Sequence, residues 1–456
     1  MNQVRITFFA LFALLLATRL CHIRVLWAEE TLPLAAAQQM QRGRTLYRDI
    51  WFDKPPVAAV VAWGVGARAG IATRVAGALY GLLCCWIAWG FARDIWGERE
   101  GLWAAGLLGF FLIFDFPASA IPLASDQLML APHLAAVWMA WRRRAWAAGA
   151  LAGVAFLASP KGALVLAACA LWAPVGPLLG GFALVTGAGA LWLGMSGALS
   201  AYWDEVWRWG RVYAGTTFLE SPLKNGAIRT ADWLGFHAAL VVAAALGLKE
   251  DRRRWLLWLA ISAVGVAAGL RFFPRYYFQA LPVLALLAAH GMARLRRRAA
   301  WVALLLAIPA VRFAPTYVEA ARGGWRDTAM DQDSRVVSAI VRGQAHVGDT
   351  LFVWGYRPEI YVYTGLPAAT RFLDSQPLTG VPADRHLTQS APVEMVESRA
   401  HRAELAQSRP VWVVDGLGGY NPKLAITAFP DLRDWLAGYR EAGRSGASLV
   451  YRLAPR

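Results

Sequence analysis

Apolar runs of bilayer-spanning length recur along this chain, separated by short connections rich in arginine. No other feature limits the fold so tightly. A helix needs roughly 17–25 apolar residues to cross the hydrocarbon core. Irregular backbone cannot cross in contact with lipid, because its N–H and C=O groups would lack partners. Composition agrees: 57% of the 456 residues are hydrophobic and 17% are charged, against about 25% charged in a soluble domain. The expected fold class is an α-helical polytopic membrane protein, with a small α/β domain at its C-terminal end.

Apolar runs fall at 6–22, 74–92, 101–116, 127–141, 145–157, 161–173, 176–197, 233–248, 255–270, 276–290 and 299–311, which is about eleven spans by the length criterion. The run beginning at Ile6 is read as an uncleaved first span, since no small-x-small cleavage site follows it. Basic clusters at Arg142–Arg144, at Lys249 with Arg252–Arg254, and at Arg294 with Arg296–Arg298 belong on the cytoplasmic side. Even numbers of spans must then separate them. This requires a break at Ser159-Pro160-Lys161, where proline ends the backbone ladder. The count puts the N-terminus on the cytoplasmic side of a bacterial cytoplasmic membrane. The loop 23–73, the loop 201–232 and everything after about residue 316 then lie outside. Residues 1–315 form the membrane domain and 316–456 the soluble extracytoplasmic one. In the latter, 349–354, 410–414 and 448–453 read as strands, and 331–343, 392–406 and 432–441 as helices.

A net charge of +16 would suggest nucleic acid in a soluble domain. Here the cations are assigned to topology-setting loops and lipid phosphates, and nucleic acid is not an expected partner. The loop 23–73 carries Arg24, Arg42, Arg44, Arg48, Lys54 and Arg68 on the side that should be poor in positive charge, which hints at an anionic ligand. Cys21, Cys84, Cys85 and Cys169 sit in apolar runs without CxxC or metal spacing, so no disulfide framework is expected. The histidines lack zinc spacing, no GxSxG occurs, and the glycine-rich pieces lack the strand–loop–helix context of a phosphate fingerprint.

The densest ionisable chemistry lies in Trp27–Pro56, directly after the first span. Glu29 and Glu30 stand at the water–lipid boundary, where a carboxylate can take a proton from an incoming hydroxyl or amine. A solvated carboxylate at a helix N-terminus is the simpler account of either one alone. In Asp53-Lys54-Pro55-Pro56, Lys54 can neutralise a phosphate and Asp53 can orient Lys54 or hold a metal. A turn with a surface ion pair is the plainer alternative. Asp115, Asp126, Lys161 and Arg275 all fall at outer span ends. Ionisable groups there are functional candidates, although snorkelling explains each one singly.

These residues, in this order, resemble the GT-C superfamily of polytopic glycosyltransferases, in the branch of protein O-mannosyltransferases and aminoarabinose–lipid A transferases. A first span is followed by Glu29-Glu30-Thr31, then by Ala35-Ala36-Ala37-Gln38-Gln39-Met40, then by Phe52-Asp53-Lys54-Pro55. Ser125-Asp126, Ser159-Pro160-Lys161-Gly162, and Arg275-Tyr276-Tyr277 with Leu281-Pro282 match looser elements. The family's catalytic position is usually Asp, so Glu29 is a departure, and both Glu29 and Glu30 are candidates for the base. The resemblance implies an inverting transfer from a polyprenyl-phosphate sugar to a lipid, glycan or protein. Lys54, Arg275 and Lys161 would meet the donor phosphate, and Asp53, Asp126 and Tyr276 would orient substrate. No metal is required, although Asp53 and Asp126 could hold a divalent ion. The rival reading is a transporter or flippase for lipid-linked sugars, which predicts charges deep within spans and inverted repeats. A non-catalytic membrane scaffold is the third.

Overall fold

Long apolar helices dominate the computed structural model, which describes residues 2–217, 220–249, 251–324 and 328–455. Phe218 and Leu219, within the expected loop 201–232, lie outside the described residues. Five helices are long and apolar enough to cross a membrane: Asn2–Leu20, Ile71–Trp96, Val175–Met195, Arg252–Leu270 and Ala299–Ala321. A sixth crossing is obtained if Pro222–Phe236 and Ala238–Gly247, bent by 82°, count as one broken span. The expected eleven is therefore too many among the described residues.

Helix continuity explains the difference. Hydropathy counts apolar residues, whereas a crossing needs unbroken helix at 1.5 Å rise per residue. Ala145–Ala158 and Leu281–Leu295 are apolar but short; fourteen residues reach only ~21 Å of a ~30 Å core. The run 127–141 is broken after Leu128, and 161–173 keeps helix only over Gly162–Cys169. Ser159 is extended between two helices, so the chain does break at Ser159-Pro160-Lys161. The parity count that oriented the termini no longer stands.

Ile71–Trp96 lies at the centre of the bundle, half buried, whereas Asn2–Leu20, Val175–Met195 and Ala299–Ala321 lie at its edge. The edge helices expose Ile6, Phe9, Leu184, Leu191, Trp301 and Val311, an apolar outer surface suited to lipid. Without a hydrophobic drive between helices in lipid, small residues let backbones approach closely. A Cβ on Gly291 of Leu281–Leu295 would come within 1.9 Å of the Ala243 carbonyl oxygen on Ala238–Gly247. Gly291→Val is expected to push this pair apart and to cost about 1–3 kcal/mol, read as a lowered thermal midpoint of the purified protein. A Gly210→Ala control, where a Cβ meets nothing within 4 Å, should leave it unchanged.

The C-terminal extension contains a four-stranded sheet of β1 (Leu351–Trp354), β2 (Trp412–Asp415), β3 (Tyr439–Arg444) and β4 (Leu449–Leu453) in the order β1-β2-β4-β3. β1 and β2 are parallel, and the other pairs are antiparallel. Helix Ala329–Gln344 presents Val337 and Val341 to the core. The expected helix over 432–441 is corrected: Arg433–Ala437 is a short helix, and after Gly438 the chain pairs as β3. Pairing with β4 outweighs the local helical pattern.

Candidate active site

Helix Ala28–Gln41 decides the fate of the two glutamates. Successive helical residues point about 100° apart, so Glu29 and Glu30 face different neighbours. Glu30 turns inward. Its oxygens lie 2.7 and 2.8 Å from Arg74 Nη2 and Nη1, and both side chains are buried. The Trp27 N–H also donates to Glu30 Oε1 at 3.0 Å, as an N3 glutamate does in half of a capping box. Both oxygens of Glu30 are thus engaged inside the protein, away from solvent. Glu29 is about one-quarter exposed, and its Oε1 lies 2.9 Å from Arg275 Nη1.

Arg275 connects the carboxylates. Its Nε lies 3.6 Å from Asp126 Oδ2, while Lys161 Nζ donates to Asp126 Oδ1 at 3.0 Å. Lys161 Nζ also sits 3.3 Å from the centre of the Tyr276 ring. The Tyr276 hydroxyl is 3.2 Å from that of Tyr213. These groups come from separate pieces of chain. Asp126 is in the turn Ser125–Leu128, Lys161 follows the break at Ser159, and Arg275 and Tyr276 lie in the 3-10 turn Pro274–Gln279. Each precedes or follows an apolar helix, and none could reach the others without those breaks.

The Lys54 side faces the extension. Lys54 Nζ donates to Asp53 Oδ1 at 3.0 Å and lies 3.5 Å from the Tyr356 hydroxyl. Burial opposes the charge on Lys54, but Asp53, Tyr356 and Glu29 outweigh it and raise its pKa. The same field joins Glu29 to Lys54 across the site. Asp374, fully buried, accepts from the Gln376 N–H at 2.8 Å. Burial, then the neighbouring Asp53 charge, push its pKa up to about 7. Between about pH 4 and 7 the folded chain thus holds a proton on Asp374 that the unfolded chain has released. Stability falls as pH rises through that window and levels off above it. Asp374→Asn should remove this part of the fall, seen as a flatter plot of thermal midpoint against pH.

The other cations of loop 23–73 have a different task. Arg42 donates to the Gly365 carbonyl at 2.6 Å and Arg44 to that of Thr370 at 2.8 Å. The Ala368 N–H donates to Gln39 Oε1 at 3.1 Å, and the Trp51 N–H to the Arg371 carbonyl at 2.8 Å. Arg48 pairs with Asp49. These contacts clamp the extension onto the membrane domain, which accounts for Arg42 and Arg44 without an anionic ligand.

No protein-family model and no curated protein sequence matches the chain. Solved structures do. ArnT from Cupriavidus metallidurans bound to undecaprenyl phosphate superposes with a TM-score of 0.62 at 16% identity, over 100% of both chains. The fold is of the GT-C type. The apo state of the same ArnT gives 0.54 at 16% identity, over 100% of this chain and 99% of that one. The Archaeoglobus fulgidus oligosaccharyltransferase gives 0.50 at 14% identity, over 90% of this chain and 68% of that one.

On this GT-C-type frame, Glu29, Asp126, Lys161, Arg275 and Tyr276 form one cluster, with Asp53 and Lys54 beside it. Glu30 is placed elsewhere. So is Asp115, whose Oδ2 lies 3.5 Å from His237 Nε2. No group of three or more His, Cys, Asp or Glu able to hold a metal occurs among the described residues; Asp53 and Asp126 each face cations. Sequence reasoning missed Tyr213, Tyr356 and Asp374. Tyr356 stands two residues after the strand read over 349–354, but only the docked extension brings it to Lys54.

Proposed function

We propose that this chain is an inverting membrane glycosyltransferase, moving a sugar from a polyprenyl-phosphate donor to an acceptor at the outer face of the cytoplasmic membrane. The carrying observation is the contact chain Glu29–Arg275–Asp126–Lys161 at one end of the bundle. It pairs a part-exposed carboxylate with cations suited to a phosphate. Glu29 takes the proton of the acceptor hydroxyl or amine. The freed lone pair attacks the anomeric carbon, and the bond to the phosphate oxygen breaks with its electrons on that oxygen. Lys54, Lys161 and Arg275 stabilise the charge that develops there, the largest electrostatic task of such a step. Asp126 and Tyr276 orient the sugar, and Asp53 orients Lys54. Glu30 holds the helix rather than the proton.

The arginine clusters support the orientation without any count of spans. Asn2–Leu20, long enough to cross, leads from Arg5 toward Glu29. Arg252–Leu270, also long enough to cross, starts at its arginine triplet and leads toward Arg275. The candidate site and the clusters thus lie at opposite helix ends. The cluster end is cytoplasmic by the positive-inside rule, and the N-terminus, with Arg5 at the start of the first helix, lies with it.

The test is reconstitution of the full chain with a panel of polyprenyl-phosphate sugars and lipid, glycan and peptide acceptors. Transfer from at least one donor is expected; no transfer across the panel overturns the proposal.

A further inference from the structure

A cavity lies outside the charged cluster, between the extension and the segment following Val175–Met195. It has a volume of about 350 Å³, within the range of small-molecule sites. Trp51 and Trp209 line it, with ring centres 5.8 Å apart and planes crossed at 79°. The Trp209 Nε1–H is buried without an acceptor. Asp204 and Glu205 reach it from a π-helical turn, Trp203–Arg208, a distortion that recurs at functional sites. Arg371 and His401 close it from the extension.

Its innermost polar groups are fixed, whereas Asp204, Arg208 and Glu397 stand at its exposed rim. Buried Glu205 accepts from the Phe52 N–H at 2.9 Å and from Arg371 Nη1 at 3.1 Å. His401 Nδ1 lies 3.1 Å from the Pro377 carbonyl oxygen, so it carries the proton, and Nε2 accepts from Arg371 at 3.4 Å. Three carboxylates (Asp204, Glu205, Glu397) face two guanidiniums (Arg208, Arg371), with Arg208 paired to both Asp204 and Glu397. An anion finds no free cation here, and a lipid tail finds too many fixed charges. Half-buried Val212 and Met395, backed by the buried Trp51 and Trp209, stand beside paired carboxylates and guanidiniums and suit a pyranose ring. Its C–H faces lie on the apolar side chains, and its vicinal hydroxyls both donate to carboxylates and accept from guanidiniums.

The cavity shares two pieces of chain with the proposed catalytic cluster. Trp51 is followed by Phe52, Asp53 and Lys54. Val212 lines the cavity and is followed by Tyr213, which bonds Tyr276. We infer that this cavity is a binding site for a neutral sugar unit of a glycan acceptor, which makes the acceptor a carbohydrate or glycolipid. The assignment to an acceptor rests on the transferase reading, whereas the binding of a neutral sugar does not.

The test uses the full chain in lipid nanodiscs, since alkyl-glycoside detergents would compete for the cavity. Neutral hexose disaccharides and methyl hexopyranosides are titrated by tryptophan fluorescence and saturation-transfer NMR, with inorganic phosphate and a hexose phosphate as anionic probes. At least one neutral sugar should bind saturably. Met395→Trp, which fills the cavity from its rim, and Asp204→Asn with Glu397→Gln should each weaken it at least tenfold, while Glu29→Gln should not. Binding by none of the neutral sugars, binding indifferent to Met395→Trp, or preference for the anionic probes overturns the inference. In the transfer assay the cavity variants should raise the acceptor KM at least fivefold, with kcat and donor KM unchanged. Transfer whose acceptor KM ignores them removes this inference and leaves the transferase standing. Sugar binding through the cavity in a chain that transfers nothing removes the transferase and leaves the cavity.

Discussion

Glu29→Gln should lower kcat/KM for sugar transfer by about 10²–10⁴-fold, the usual contribution of a positioned base. The amide keeps the size of the side chain and can still accept from Arg275, so the cluster keeps its shape. It cannot take the proton. Arg275 also keeps its second carboxylate partner, Asp126 Oδ2 at 3.6 Å, so the variant should insert and melt close to the parent. Donor binding should also persist, because Lys54 and Lys161 are untouched. Retained transfer would remove Glu29 as the base. A Glu29→Asp variant adds a second reading. It restores the acid that the resembling family usually carries, one methylene shorter, and should recover part of the rate if reach is the only difference.

Much of the membrane domain was legible because apolar surface facing lipid must be written into the sequence. Asn2–Leu20 and Val175–Met195 were found for that reason. The number of spans was not legible, since a run such as 127–141 gives no sign in its hydropathy that the helix restarts after Leu128. The site was legible in parts. Asp126, Lys161 and Arg275 stand out as charges beside apolar runs, and the breaks that expose them leave marks such as Ser159-Pro160. What each charge does was hidden wherever its partner is distant in sequence. Arg42 and Arg44 looked like anion ligands, but their acceptors are backbone carbonyls at 365–370, which no side-chain pattern encodes. Asp374 and Tyr356 gain meaning only once the extension docks. Arg433–Ala437 continues a helical pattern that the β4 edge then overrides.

The choice between adjacent glutamates shows the same dependence, and it leads to the largest expected effect on stability. Arg74→Ala should cost about 3–5 kcal/mol, the typical result of removing one partner of a buried ion pair. Arg74 pairs with both oxygens of Glu30, and it also donates to the His22 carbonyl at 3.2 Å and to that of Val25. Its loss leaves a buried carboxylate and two carbonyls without this donor, where the first helix turns into helix Ala28–Gln41. The variant should therefore lose folded yield and thermal midpoint before any kinetic change can be read. Glu30→Gln alone should be milder, because the amide oxygen still accepts from Arg74 and from the Trp27 N–H. In the double variant Arg74→Met with Glu30→Gln the buried charge is gone altogether, so it should recover a substantial part of the Arg74→Ala loss. That recovery separates a pair needed for burial from a glutamate needed for chemistry. If the double variant is stable and still transfers sugar, Glu30 is structural; if it is stable but inert while Glu29→Gln stays active, the two glutamates have exchanged roles.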